Sequence, residues 1–213
     1  GMPIEAALDK HKHWGSVVEA YDPVMKASEW CKDQVKTVNT NPEDVKNVIQ
    51  THLHLDHSGA IGHFPNATHI TQRIEYDYAF NPDWFSQPAY IKEDFDKPNI
   101  RWKFLQGRKT DFFDLYGDGV IKIIFTPGHT PGHQSVLVNL PKTGHMLLTG
   151  DACYTGDHWC DRCLPGLVAS ASDAADSVAK LRKVAKENDA KVVWGHDPVT
   201  WLDWKKAPMF YYD

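Results

Sequence analysis

Six consecutive residues, His52-Leu53-His54-Leu55-Asp56-His57, carry four side chains able to coordinate a metal ion. Imidazole nitrogens and carboxylate oxygens suit zinc, and a tight loop can aim several of them at one or two ions. Leu53 and Leu55 alternate with the polar positions, so the apolar side chains can anchor the loop while the others point away. Imidazoles this crowded gain little from one another without a cation between them. The alternative is a polar surface turn that happens to be His-rich. Three further candidates are His129 in Thr126-Pro127-Gly128-His129, Asp151 after Gly150, and His196 after Gly195. Each alone is weak; the set gains meaning from where the elements put it.

Those elements are readable on either side of an unclear middle. Residues 45–51 read as a buried strand that ends at His52, and 68–71 as another short strand. Residues 120–125 form a strand stopped by the Pro-Gly before His129. Residues 135–140 and 146–149 follow as two more, the second ending in Gly150-Asp151. Ala174, Val178, Leu181 and Ala185 recur at helical spacing, with Ser172 and Asp173 at the amino end, which predicts an amphipathic helix. Residues 191–194 are a last strand running into Gly195-His196-Asp197. Four strands thus each deliver a His or Asp at or just after the carboxyl end, where sheets that pack on helices place ligand sites. Nearer the amino end, 17–21 and 24–35 have helical spacing interrupted by Pro23, and Asn41-Pro42 resembles a cap with proline at the first helical position. From Arg73 to Gly117 the chain is aromatic-heavy and supports no assignment. Its rings (Tyr76, Tyr78, Phe80, Trp84, Phe85, Tyr90, Phe95, Trp102) could wall a substrate pocket or simply pack.

With 213 residues, 42% hydrophobic and 24% charged, and no repeat or linker, the sequence reads as one globular domain over residues 1–213. Its longest apolar runs are far short of the roughly 20 residues of a membrane helix. Nothing near Met2-Pro3-Ile4 has a signal-peptide pattern. A net charge of −5 argues against a nucleic-acid partner. Four cysteines are too few to staple a chain of this size, so a cytoplasmic setting is expected. Cys160-Asp-Arg-Cys163 is a lone pair read as free or packed thiols. His133 is expected to orient ligands rather than to be one. The tail 209–212, Met-Phe-Tyr-Tyr, is apolar and expected to dock on the body or on a partner subunit.

On these residues the chain resembles the metallo-β-lactamase superfamily, whose His-x-His-x-Asp-His signature stands here as His52 to His57. His129, Asp151 and His196 match the superfamily's third, bridging and last ligands in order and spacing. Within it, Thr126-Pro-Gly-His-Thr-Pro-Gly-His-Gln-Ser135, Asp151-Ala-Cys-Tyr154 and Gly195-His-Asp197 are similar to the N-acyl homoserine lactonases. In that group a tyrosine three residues past the bridging aspartate lines the site, and Tyr154 occupies that position; a tyrosine bonded to a backbone carbonyl is its alternative. The resemblance spans about residues 40 to 200.

It implies a four-layer αββα sandwich and two zinc ions, with other divalent metals suited to the same donors. His52, His54 and His129 would hold one ion, Asp56, His57 and His196 the other, and Asp151 would bridge them. A metal-bridged hydroxide would open the ester ring of a small-molecule lactone, with Tyr154 steadying the oxyanion and Asp56 carrying the proton to the leaving oxygen. A homodimer is the expected assembly. One departure from the family is the missing opening strand hairpin, so the first sheet is expected to be short and the domain incomplete at its amino end. The alternatives are another hydrolase of the same fold (a different lactone, a β-lactam or a thioester), a mononuclear iron enzyme oxidising sulfur compounds, and a non-catalytic metal-binding member. A nuclease is disfavoured by the acidic balance.

Overall fold

A parallel pair of strands cannot be closed by a tight turn, and that requirement sets the course of the histidine-rich segment. The structure, a computed structural model, describes residues 1–210, 212 and 213; Tyr211 of the apolar tail lies outside the described residues. The chain divides into two units, residues 1–71 with 76–104, and residues 72–75 with 105–213.

The first unit opens with helix α1 (Ile4–Trp14), followed by a 3-10 turn over Gly15–Glu19 and the short helix α2 (Cys31–Gln34). The helical spacing at 17–21 and 24–35 is therefore realised mostly as single turns. Pro42 opens a further 3-10 turn, as expected, but the Asn41 side chain makes no capping hydrogen bond to it. Strand β1 (Asn47–Ile49) pairs in parallel with β2 (Thr68–Gln72), so residues 50–67 must form the crossover, and they carry the histidine loop. The unclear middle resolves into α3 (Arg73–Phe80), α4 (Lys92–Phe95) and β3 (Arg101–Leu105), the third strand of a sheet ordered β1-β2-β3.

In this unit most of the aromatic segment is core. Tyr90 and Phe95 are buried with Leu53, Ile61 and Ala79, and Tyr76, Tyr78, Phe80 and Trp102 pack against them. Trp84, at 84% exposure, stands apart from that packing. Leu55 belongs to a separate cluster with Ala6, Trp14 and Val18. The two leucines of the loop are thus tied to two different cores, which fixes the backbone carrying the polar residues between them.

The second unit is a five-stranded sheet, β4 (Phe112–Asp114), β5 (Ile121–Phe125), β6 (Gln134–Leu140), β7 (Gly144–Leu148) and β8 (Lys191–Val193), paired in sequence order. All neighbours are antiparallel except β7 and β8, which are parallel and need a crossover. That crossover holds the turn α5 (Gly156–Trp159) and the long helix α6 (Ala171–Glu187), and β8 is followed by α7 (Pro198–Asp203). The helical stripe of α6 buries Leu181, Val184 and Ala185 against Ile124, Leu137 and Leu147 of the sheet. Its cap is Ser170, whose hydroxyl accepts from Asp173 N–H; Ser172 and Asp173 lie inside the first turn rather than before it.

No helix is long and apolar enough to cross a membrane among the described residues. The four cysteines are free thiols; Cys160 and Cys163 are exposed, whereas burial pushes the Cys153 thiol up to about 12.

Candidate metal centre

In the first unit the chain leaves β1 and turns tightly, with His57 and Ser58 N–H both donating to the His54 carbonyl and Leu55 N–H donating to Ala89 O. The turn crowds three imidazoles together: His52 lies 4.6 Å from His54, edge-on, and 4.2 Å from His57, tilted, ring centre to ring centre. Tyr90 backs His54 edge-on at 4.6 Å. His52 and His54 are buried, and Nδ1 of His52 lies 3.1 Å from the Thr51 hydroxyl. Asp56 Oδ2 sits 3.2 Å from His57 Nε2 and accepts a hydrogen bond of 2.9 Å from the Tyr21 hydroxyl.

In the second unit three loops after strands converge. His129 follows β5, Asp151 follows β7 and His196 follows β8. Asp151 Oδ2 lies 3.4 Å from His129 Nε2 and 3.2 Å from His196 Nε2. The His129 Nδ1 atom is 2.9 Å from the Leu167 carbonyl, which can only accept, so that nitrogen carries the hydrogen. Nε2 of a neutral His129 is then a lone pair facing a carboxylate, and a proton or a metal ion between them removes the conflict. This is the arrangement in which a backbone carbonyl fixes the tautomer of a metal-binding imidazole. Tyr154 meets the same group, its hydroxyl 3.3 Å from His129 Nδ1 and its ring 5.0 Å from that of His196.

Backbone geometry makes this convergence possible. Gly195 approaches so closely that a Cβ there would lie 2.5 Å from the Gly150 carbonyl oxygen. Gly128, at φ +137°, abuts the first turn of α6, where a Cβ would meet Ala174 N at 2.3 Å. Gly195 and His196 N–H donate to Cys153 and Tyr154 carbonyls, tying the two loops together. Asp197 caps α7 and also accepts from Gly156 N–H; these backbone donors, Thr200 first, hold its carboxyl below the usual range. Beside His196 opens a cavity of about 200 Å³ walled by Trp194, Thr200, Trp201 and Trp204.

Each expected residue therefore has a defined place. His52, His54, Asp56 and His57 are brought together in the first unit, and His129, Asp151, Tyr154 and His196 in the second. The His and Asp side chains of this chain that could hold a metal ion include all seven expected ligands. His133 has both ring nitrogens engaged, Nδ1 with the Thr126 hydroxyl at 2.9 Å and Nε2 accepting from Asp151 N–H at 3.0 Å. Two contributors escape a reading of the sequence. Tyr21 lies 35 residues from the Asp56 it bonds, in a segment with no motif. Glu75, fully buried, accepts from Thr130 Oγ1 at 2.6 Å and Gly132 N–H at 3.2 Å, bracing the loop after His129. A glutamate placed among aromatic residues was its only signal.

A family model described as the metallo-beta-lactamase superfamily matches residues 21–196. The N-acyl homoserine lactonase AttM of Rhizobium radiobacter is 56% identical over 211 residues, 99% of this chain and 80% of that protein. The N-acyl homoserine lactonase of Bacillus cereus is 34% identical over 198 residues, 92% of this chain and 74% of that protein. Among solved structures, a variant of Bacillus thuringiensis AiiA with N-decanoyl-L-homoserine at its active site superposes with a TM-score of 0.85. It is 29% identical, over 100% of this chain and 80% of that one. An N-acyl homoserine lactone hydrolase with the product N-hexanoyl-L-homoserine bound at its catalytic metal centre has the same TM-score, identity and coverage.

Proposed function

The chain belongs to the metallo-beta-lactamase superfamily, and we propose that it is a dinuclear zinc hydrolase that opens the ester ring of N-acyl homoserine lactones. The observation that carries this reading is Asp151 Oδ2 set between the Nε2 atoms of His129 and His196, beside the Tyr154 hydroxyl. The substrate class rests on the relatives, which are N-acyl homoserine lactonases over nearly the whole of this chain.

His52, His54 and His129 would hold one ion, Asp56, His57 and His196 the second, and Asp151 would be shared. The donor chemistry fits: imidazoles and carboxylates, largely buried, with the His129 tautomer set for ligation through Nε2. When bound, such a pair supplies Lewis acidity to the ester carbonyl and lowers the pKa of water toward about 7.

The chain's own residues do the rest. The Tyr154 hydroxyl donates to the carbonyl oxygen as negative charge builds there. Asp56 takes the proton of the attacking water and returns it to the departing ring oxygen, which would otherwise leave as a strongly basic alkoxide. Tyr21 holds Asp56 Oδ2 so that the carboxylate keeps one orientation through this exchange. His133 fixes the Asp151 backbone from behind. A homodimer in the cytoplasm completes the proposal; the exposed Val199, Trp201 and Leu202 of α7 supply apolar surface for it.

The test is turnover of N-hexanoyl homoserine lactone beside a chromogenic β-lactam by the zinc-loaded protein. Ring opening of the lactone with little lactam hydrolysis is expected; brisk lactam opening with an inert lactone reverses the substrate assignment.

A further inference from the structure

The first unit contains a second cavity, about 430 Å³, that shares no residue with the histidine loop. Phe64, Pro65 and Ile100 give it apolar walls, His69, Lys97 and Arg101 line it as well, and no aspartate or glutamate does. Its polar groups are held in an unusual way. His69, on β2, is 2% exposed. Its Nε2 accepts a long hydrogen bond, 3.5 Å, from Gly62 N–H, so the hydrogen of the neutral ring sits on Nδ1. That Nδ1 is buried and has no hydrogen-bond partner, a rare condition for a donor inside a folded chain. Burial, with Lys97 nearby, pushes His69 down to about 4, so the ring is neutral at pH 7 and donates through one nitrogen only.

The two cations are steadied without being neutralised. Lys97 Nζ donates to the Ile61 carbonyl at 3.0 Å and meets His63 Nε2 at 3.3 Å. Arg101 donates to the Pro65 carbonyl at 3.4 Å. Asp94, whose carboxyl burial pushes up against the opposing pull of His13 and Lys97, spends an oxygen on His13 at 2.8 Å. The result is two positive charges beside an apolar hollow that His69 also lines, within the size range of small-molecule sites.

We propose that this cavity binds a small organic anion: an oxyanion head, carboxylate or phosphate, on a short apolar body. Lys97 and Arg101 grip the head, since charge-assisted hydrogen bonds are the strong ones. His69 Nδ1–H donates to one of its oxygens, and Phe64, Pro65 and Ile100 cover the body. An anion here would also raise the proton affinity of His69, so occupancy is visible at that ring.

The experiment is an NMR titration of isotope-labelled, zinc-loaded protein at constant ionic strength with hexanoate, hexyl phosphate and inorganic phosphate. Saturable shifts at the Gly62, Ala67 and Asn99 amides and the His69 ring nitrogens are expected with at least one hexyl probe. Whichever head saturates at lower concentration identifies the natural chemistry. Lys97→Met and Arg101→Met, both at the cavity rim, should each weaken that binding by about tenfold or more. His69→Phe should weaken it while keeping the apolar volume. Shifts that never saturate, shifts confined to the histidine loop, or rim variants that bind like the parent would overturn the proposal. Inorganic phosphate binding as tightly as hexyl phosphate would overturn the apolar body.

Discussion

At the scale of single residues, groups that touch the reacting atoms differ in their expected effects from groups that aim them. On the proposed mechanism Asp56→Asn would remove the proton carrier and a ligand together, so lactone turnover should fall by roughly 10²- to 10⁴-fold. Tyr154→Phe should cost only about tenfold, because the proposed metal pair would share the oxyanion's charge with the hydroxyl. Kinetics of the two variants at saturating zinc check both, and an Asp56→Asn enzyme with near-parent kcat contradicts the assignment. His133→Phe makes a different prediction. It leaves the donor set intact but frees the Asp151 backbone, so zinc affinity should weaken by about 10- to 100-fold, read by competition with a chelating dye. The donors themselves were legible because their chemistry is dense in sequence: four potential ligands in six residues have few other uses. Tyr21 and Glu75 were not, since a hydrogen bond between residues 35 or 55 apart leaves no trace in local spacing.

At the scale of elements, strand ends do the positioning. β1, β5, β7 and β8 each stop three or four residues before a candidate ligand. Gly195→Ala would force the loop after β8 away from the Gly150 carbonyl, and both stability and activity should drop together. Leu181→Ala, by contrast, should cost about 2–5 kcal/mol of stability while a chain that remains folded keeps its turnover. Denaturant melts beside activity distinguish the two. The second unit's strands and α6 were readable from alternation, Pro-Gly stops and a 3.6-residue stripe. The middle was not. In β3 the pairs Arg101-Trp102 and Lys103-Phe104 do alternate, but neighbouring segments are equally rich in aromatic residues, so the period is lost in the background. In α1 the helical run is broken at Asp9, whose φ of −156° is extended, so no single apolar stripe runs along it.

At the scale of the whole molecule, ionisation links the interior to pH. His69 titrates near 4 when folded and near 6.5 when unfolded, so at pH 7 it is neutral in both states. As pH falls through this window the unfolded chain takes up the proton first, and stability is lost progressively between about 6.5 and 4. His69→Phe lacks that loss, so its stability relative to the parent should rise as pH drops through the same window; a gap that stays constant removes His69 from the account. The central claim, that the seven proposed His and Asp donors hold a pair of ions, is tested most directly by counting metal. Protein purified and dialysed with zinc should retain two ions per chain. Replacing Asp151 with alanine should reduce that number, and Glu75→Gln, which touches no ion, should leave it near two. A parent chain holding one ion or none under these conditions, or an Asp151→Ala chain that still holds two, contradicts it.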